Sequence, residues 1–177
     1  LDTKDMVALL DVYFAEVNVC VAQHGGMVDK VVGDAVHAFF NAPEDLDDHV
    51  NKAIDCALAI SRLTEEMRQR PQFKAKDFGR TRLGIETGTA VLGEVGLSGK
   101  LDYTAHGNSI NLAARLQDAN KFLGTTICVG PAANAESRRR LWACTRSAAS
   151  ARWSCSRRMT MSARPETPAR RQAIRTC

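Results

Sequence analysis

The sequence predicts an α/β or α+β domain in which helices cover a mixed sheet. Three observations carry this: two long stretches with helical apolar spacing, pairs of β-rich runs parted by short turn signals, and the alternation of the two along the first 130 residues. At 177 residues the chain is long enough for one domain with a real core.

Met6, Leu9, Leu10, Tyr13, Phe14, Val17 and Val21 recur every three or four residues, so residues 3–24 read as an amphipathic helix that Gly25-Gly26 can end. Two β-rich runs follow, 27–32 and 35–40, separated only by Gly33-Asp34, the signature of a hairpin with Asp34 at its tip. Pro43 and the acidic stretch 44–48 make a loop. Val50, Ala53, Ile54, Ala57, Leu58 and Met67 then mark a second helix that ends before Pro71. Residues 71–79 are expected to be a polar linker. Residues 81–87 and 90–95 read as strands around a turn at Gly88, 96–100 as a flexible loop, and 101–104 as a short strand. A third helix is expected at about 108–123, ended by Gly124, with a strand at 125–129 and no internal repeat.

Composition divides the chain. Residues 1–135 hold 13 Lys+Arg against 18 Asp+Glu, whereas residues 136–177 hold 11 Arg against two Glu, with no Lys or Asp, both tryptophans and three of the six cysteines. This tail shows neither helical nor strand periodicity and is expected to be disordered, or the product of a reading-frame shift in a GC-rich gene. A basic tail for nucleic acid or anionic lipid is the rival reading, but no RNA or DNA motif accompanies the arginines, so no nucleic-acid partner is expected. The cysteines have no zinc-type spacing and read as reduced thiols of a cytosolic protein. No apolar run approaches the roughly 20 residues that span a bilayer, and residues 1–10 lack the basic start of a signal peptide.

Two charged pairs point to chemistry. Lys30 and Asp34 lie four apart in an otherwise apolar hairpin, and a charge there needs solvent, a partner or a bound cation. Alone, each has an ordinary reading, Gly-Asp as turn chemistry and a strand lysine as an edge guard. Asn111 and Arg115, four apart on the third helix, put an amide and a guanidinium on one face. The four histidines form no triad or HExxH pattern, and GTAVLG is not a Walker loop.

Three blocks, HGGMVDKVVGDAVHAFFNAP, RLGIETGTAVLGEVG and LDYTAHGNSINLAARL, together resemble the class III nucleotidyl cyclases, which include adenylate and guanylate cyclases. The resemblance covers about residues 3–130. It implies a ferredoxin-like βαββαβ core, a head-to-tail homodimer with active sites at the interface, and conversion of ATP to cyclic AMP and pyrophosphate. Asp34 matches one of two aspartates that hold a pair of Mg²⁺ or Mn²⁺ ions. Lys30 and Thr104 match the base-reading pair, in a combination that favours ATP over GTP. Asn111 matches the residue that orients the ribose, and Arg115 the one that stabilises charge on the phosphate.

Departures from that pattern shape the remaining expectations. The family's first strand, which carries the other metal aspartate, is missing ahead of Leu1, and Asp2, Asp5 and Asp11 cannot stand in for it. A lysine that contacts the triphosphate is also absent from the Arg-rich tail. Residues 1–135 are thus expected to be a partial catalytic domain of a cytoplasmic protein, with membrane tethering through an upstream region left open, and 136–177 a separate tail. The alternative function is a catalytically silent, cyclase-like dimerisation or regulatory module.

Overall fold

The computed structural model describes residues 3–97, 100–138, 142–146, 153–157 and 171–176. In chain order the elements are α1 (Thr3–Gln23), β1 (Gly26–Val32), β2 (Ala35–Phe40), α2 (His49–Gln69), α3 (Pro71–Lys74), β3 (Leu83–Gly88), β4 (Val91–Leu97), β5 (Lys100–His106), α4 (Asn108–Leu123), β6 (Ile127–Val129), α5 (Pro131–Glu136), β7 (Trp142–Arg146), β8 (Trp153–Arg157) and β9 (Arg171–Thr176). Seven strands form one sheet in the order β1-β2-β9-β3-β6-β7-β8, and β4 and β5 form a second. The large sheet is mixed, because β3, β6 and β7 run parallel while the other pairs are antiparallel.

The helical spacing in the sequence becomes the core. Leu9, Tyr13, Val17 and Val21 of α1 are buried with Val50, Ile54, Ala57, Ile60 and Met67 of α2, against Phe40, Leu83 and Ile85 of the sheet. A glycine brings α4 onto β3: a Cβ at Gly84 would lie 2.1 Å from the Ala113 carbonyl oxygen and 2.4 Å from the Gln117 nitrogen. Only a residue without a side chain permits that approach. Asn120, buried in α4, ties the same pair by donating to the Leu83 carbonyl at 2.8 Å.

Several expectations are corrected. Residues 71–79 are not simply a polar linker, since Pro71 starts α3 at a favourable first-turn position and Phe73 is fully buried, edge-on to Phe78 at 5.1 Å. The strands flanking Gly88 do not pair with each other; β3 joins the large sheet and β4 pairs with β5. The loop expected at 96–100 is shorter, because β4 extends to Leu97 and β5 begins at Lys100. No strand was expected in the Arg-rich tail, and its described residues form β7, β8 and β9. β9 lies between β2 and β3, antiparallel to both, and joins them into one sheet.

Candidate active site

The β1–β2 hairpin is irregular at one point. Val28 pairs with Ala38 and Lys30 with His37, so Asp29 is an extra residue bulged out of the ladder. In a regular strand neighbouring side chains face opposite ways, whereas a bulge re-aims them. Here both Asp29 and Lys30 reach the Thr104 hydroxyl of β5: Lys30 Nζ donates to Thr104 Oγ1 at 2.8 Å, and Oγ1 donates to Asp29 Oδ2 at 3.0 Å. Lys30 Nζ is also 3.6 Å from Asp29 Oδ2. The Asp29 side chain is 2% exposed and the Lys30 side chain 41%, so the carboxylate is the buried anchor and the ammonium the accessible end.

A cavity of about 360 Å³ opens beside this trio, lined by Lys30, His37, His106, Asn108 and Asn111 among others. Gly107 precedes α4, and Asn111 sits in its first turn. Arg115 follows one turn on, exposed and outside the lining of that cavity. Asp34, exposed after Gly33 at φ 63°, lines a different cavity of about 480 Å³ with Lys76, Asp77, Arg80 and Arg82. The structure thus brings Lys30 and Thr104 into contact and Lys30 and Asn111 into one cavity, while Asp34 stands apart from all three.

Sequence reasoning missed Asp29, because strand alternation would turn it away from Lys30. His37 and His106, which had no account, line the Lys30 cavity. Of the basic residues around Asp34, Lys76 lay in the supposed linker and is paired to Asp5 at 2.7 Å, whereas Arg80 and Arg82 follow it. Among the described residues the one cluster of three metal-type ligands lies elsewhere: Cys20, His24 and Cys56 have their donor atoms within 4.8 Å of one another. There the His24 Nδ1–H donates to the Cys20 carbonyl at 2.8 Å, the Cys56 thiol donates to the same oxygen at 3.8 Å, and burial pushes both thiols up. That group satisfies the end of α1.

Residues 1–133 match the family model for the adenylate and guanylate cyclase catalytic domain. The chain belongs to this family. Among curated proteins it is 38% identical to adenylate cyclase 1 of Rhizobium meliloti (strain 1021) over 133 residues, covering 75% of this chain and 20% of that protein. It is 26% identical to the adenylate cyclase of Anabaena cylindrica over 133 residues, covering 73% of this chain and 26% of that protein. The chain therefore spans about a fifth to a quarter of the length of these relatives. Among solved structures, the adenylyl cyclase CyaB from P. aeruginosa superimposes with a TM-score of 0.70 at 22% identity, over 100% of this chain and 84% of that one. The guanylyl cyclase Cya2 does so with a TM-score of 0.67 at 25% identity, over 80% and 71%. The fold is accordingly of the class III cyclase type, and no helix among the described residues is long and apolar enough to cross a membrane.

Divalent ions are implied by this family. Asp34 offers a hard oxygen ligand suited to Mg²⁺ or Mn²⁺. It belongs to no group of three metal-type ligands among the described residues, and its cavity carries Lys76, Arg80 and Arg82 against Asp34 and Asp77. The described residues of this chain therefore do not form a two-ion clamp by themselves, and the cavity's charge suits an anion.

Proposed function

We propose that the domain is an adenylate cyclase catalytic module, active as a head-to-tail homodimer. The observation that carries this reading is the 2.8 Å hydrogen bond between Lys30 and Thr104, residues 74 apart in sequence, of which Lys30 lines the 360 Å³ cavity. The ammonium donates to a ring nitrogen of adenine and the hydroxyl accepts from its amino group. Asn111, lining the same cavity, orients the ribose, and Arg115, one turn further along α4, meets the phosphates.

In the reaction the ribose 3′-oxygen forms a bond to the α-phosphorus, the bond to the β-phosphate bridging oxygen breaks, and the hydroxyl proton leaves to solvent. Pyrophosphate departs. The protein's share is alignment of the hydroxyl and neutralisation of phosphate oxygens. Because Asp34 belongs to no group of three metal-type ligands among the described residues, the 177-residue chain is expected to hold Mg²⁺ weakly and to make no measurable cyclic AMP, so nucleotide preference is the deciding readout. The catalytic unit is read as residues 1–135, with β9 of the Arg-rich segment completing its sheet.

Displacement of a fluorescent nucleotide by ATP and by GTP tests the reading. ATP is expected to compete better, and Lys30→Glu to erase the preference, a change of roughly 1–3 kcal/mol in discrimination. Equal competition by both nucleotides against the unmutated chain would sink it.

A further inference from the structure

The bulge at Asp29 has a consequence for which base the site accepts. An ionised carboxylate only accepts hydrogen bonds, an ammonium only donates them, and a hydroxyl has one proton and two lone pairs. With Lys30 Nζ 2.8 Å from Thr104 Oγ1, and Oγ1 3.0 Å from Asp29 Oδ2, the direction of each bond is forced. Thr104 gives its proton to Asp29 and takes one from Lys30. One lone pair remains. Toward a ligand, Thr104 can therefore accept and cannot donate.

We infer that Asp29 is a specificity-determining positioning residue: by holding the Thr104 proton it makes the Lys30–Thr104 pair complementary to adenine and not to guanine. This rests on the reading of Lys30 and Thr104 as the base-recognising pair. Adenine offers an accepting ring nitrogen beside a donating amino group, which matches a donating ammonium beside an accepting hydroxyl. Guanine, in the same placement, offers a ring N–H beside a carbonyl oxygen. Both contacts then have the wrong polarity. Free to rotate, the threonine could donate to that carbonyl; bonded to Asp29 it cannot.

Two features make Asp29 suited to this task. Its side chain is 2% exposed, so water does not compete for the Thr104 proton. The bulge places it and Lys30 on the same side of β1, with Thr104 itself buried on β5. The carboxylate touches no ligand directly; it acts through the hydroxyl.

The test measures ATP and GTP competing for a fluorescent methylanthraniloyl nucleotide on the full chain and its variants. Asp29→Ala removes the acceptor and should lower the ATP-to-GTP affinity ratio by about tenfold, a loss of the size expected for one mismatched hydrogen bond. Asp29→Asn keeps an acceptor oxygen and should hold the ratio within about threefold of the parent, the scatter usual between similar contexts. In a Thr104→Val background, Asp29→Ala should leave the ratio unchanged, because the hydroxyl it acts through is gone. Should Asp29→Ala fail to fold, Asp29→Leu fills the volume without an acceptor and gives the same reading. A uniform fall in affinity for both nucleotides would overturn the inference, leaving Asp29 a fold residue. If Lys30→Ala and Thr104→Val move the ratio and Asp29→Ala does not, this inference falls and the base-reading pair stands; if none of the three moves it, the pair itself falls.

Discussion

Glu86 is a carboxylate in the middle of β3 with 3% of its surface exposed. Burial pushes its titration upward, against the pull of backbone N–H donors from Thr87 and Ala133, each 2.9 Å from Oε1. A carboxyl raised in the folded state contributes stability that is fully present below its unfolded value, about 4.3, and lost as pH rises through the higher folded one. Glu86→Gln keeps an oxygen for both donors and removes the charge. Its melting temperature should therefore gain on the parent as pH rises from 4 to 8, as read by thermal scans, and parallel profiles would contradict the assignment. This residue and Asp29 share a reason for escaping sequence analysis. Each sits where strand alternation or burial would argue for an apolar side chain, and its partner lies 47 or 75 residues away. Lys30, Asp34, Asn111 and Arg115 were singled out in short blocks whose resemblance to one family proposes their roles.

At the scale of elements, α1, α2 and α4 were legible because a 3.6-residue apolar repeat is local information that packing then obeys. Strand pairing is not local. β3 and β4 flank one turn yet enter different sheets, and only the partner across the ladder decides that. α3 escaped for a similar reason, its single buried Phe73 being too short a pattern to read. The element that sets the candidate site is α4, and its seat on β3 depends on Gly84. Gly84→Ala would push a methyl group to 2.1 Å from backbone oxygen and 2.4 Å from backbone nitrogen, atoms that cannot swing aside. A loss of roughly 1–3 kcal/mol or more is expected. Denaturant unfolding measures it, and nucleotide affinity should fall in parallel as Asn111 moves with the helix. A Gly84→Ala chain of parental stability would show that α4 is not seated by this contact.

For the whole molecule, the decisive feature is that Asp34 lines one cavity of the chain and Lys30 and Asn111 another. A nucleotide has its base at one end and its phosphates at the other, so on the proposed dimeric reading each subunit supplies one half of two sites. Head-to-tail pairing would set the Asp34 cavity of one subunit, with Lys76, Arg80 and Arg82 around it, against the Lys30 cavity of its partner, and positive charge would then meet the triphosphate. The prediction is complementation. On the proposed adenylate cyclase reading, Asp34→Ala and Arg115→Ala in the parent protein should each abolish cyclisation as homodimers, because every site then lacks one group. Mixed, they form heterodimers in which one site carries both defects and the other neither, so about half the activity per heterodimer should return. Cyclic AMP formation in titrated mixtures, with heterodimers verified by differently tagged chains, measures this. Heterodimers that form and stay inactive would mean that Asp34 and Arg115 serve the same subunit's site, and the head-to-tail arrangement would have to be abandoned.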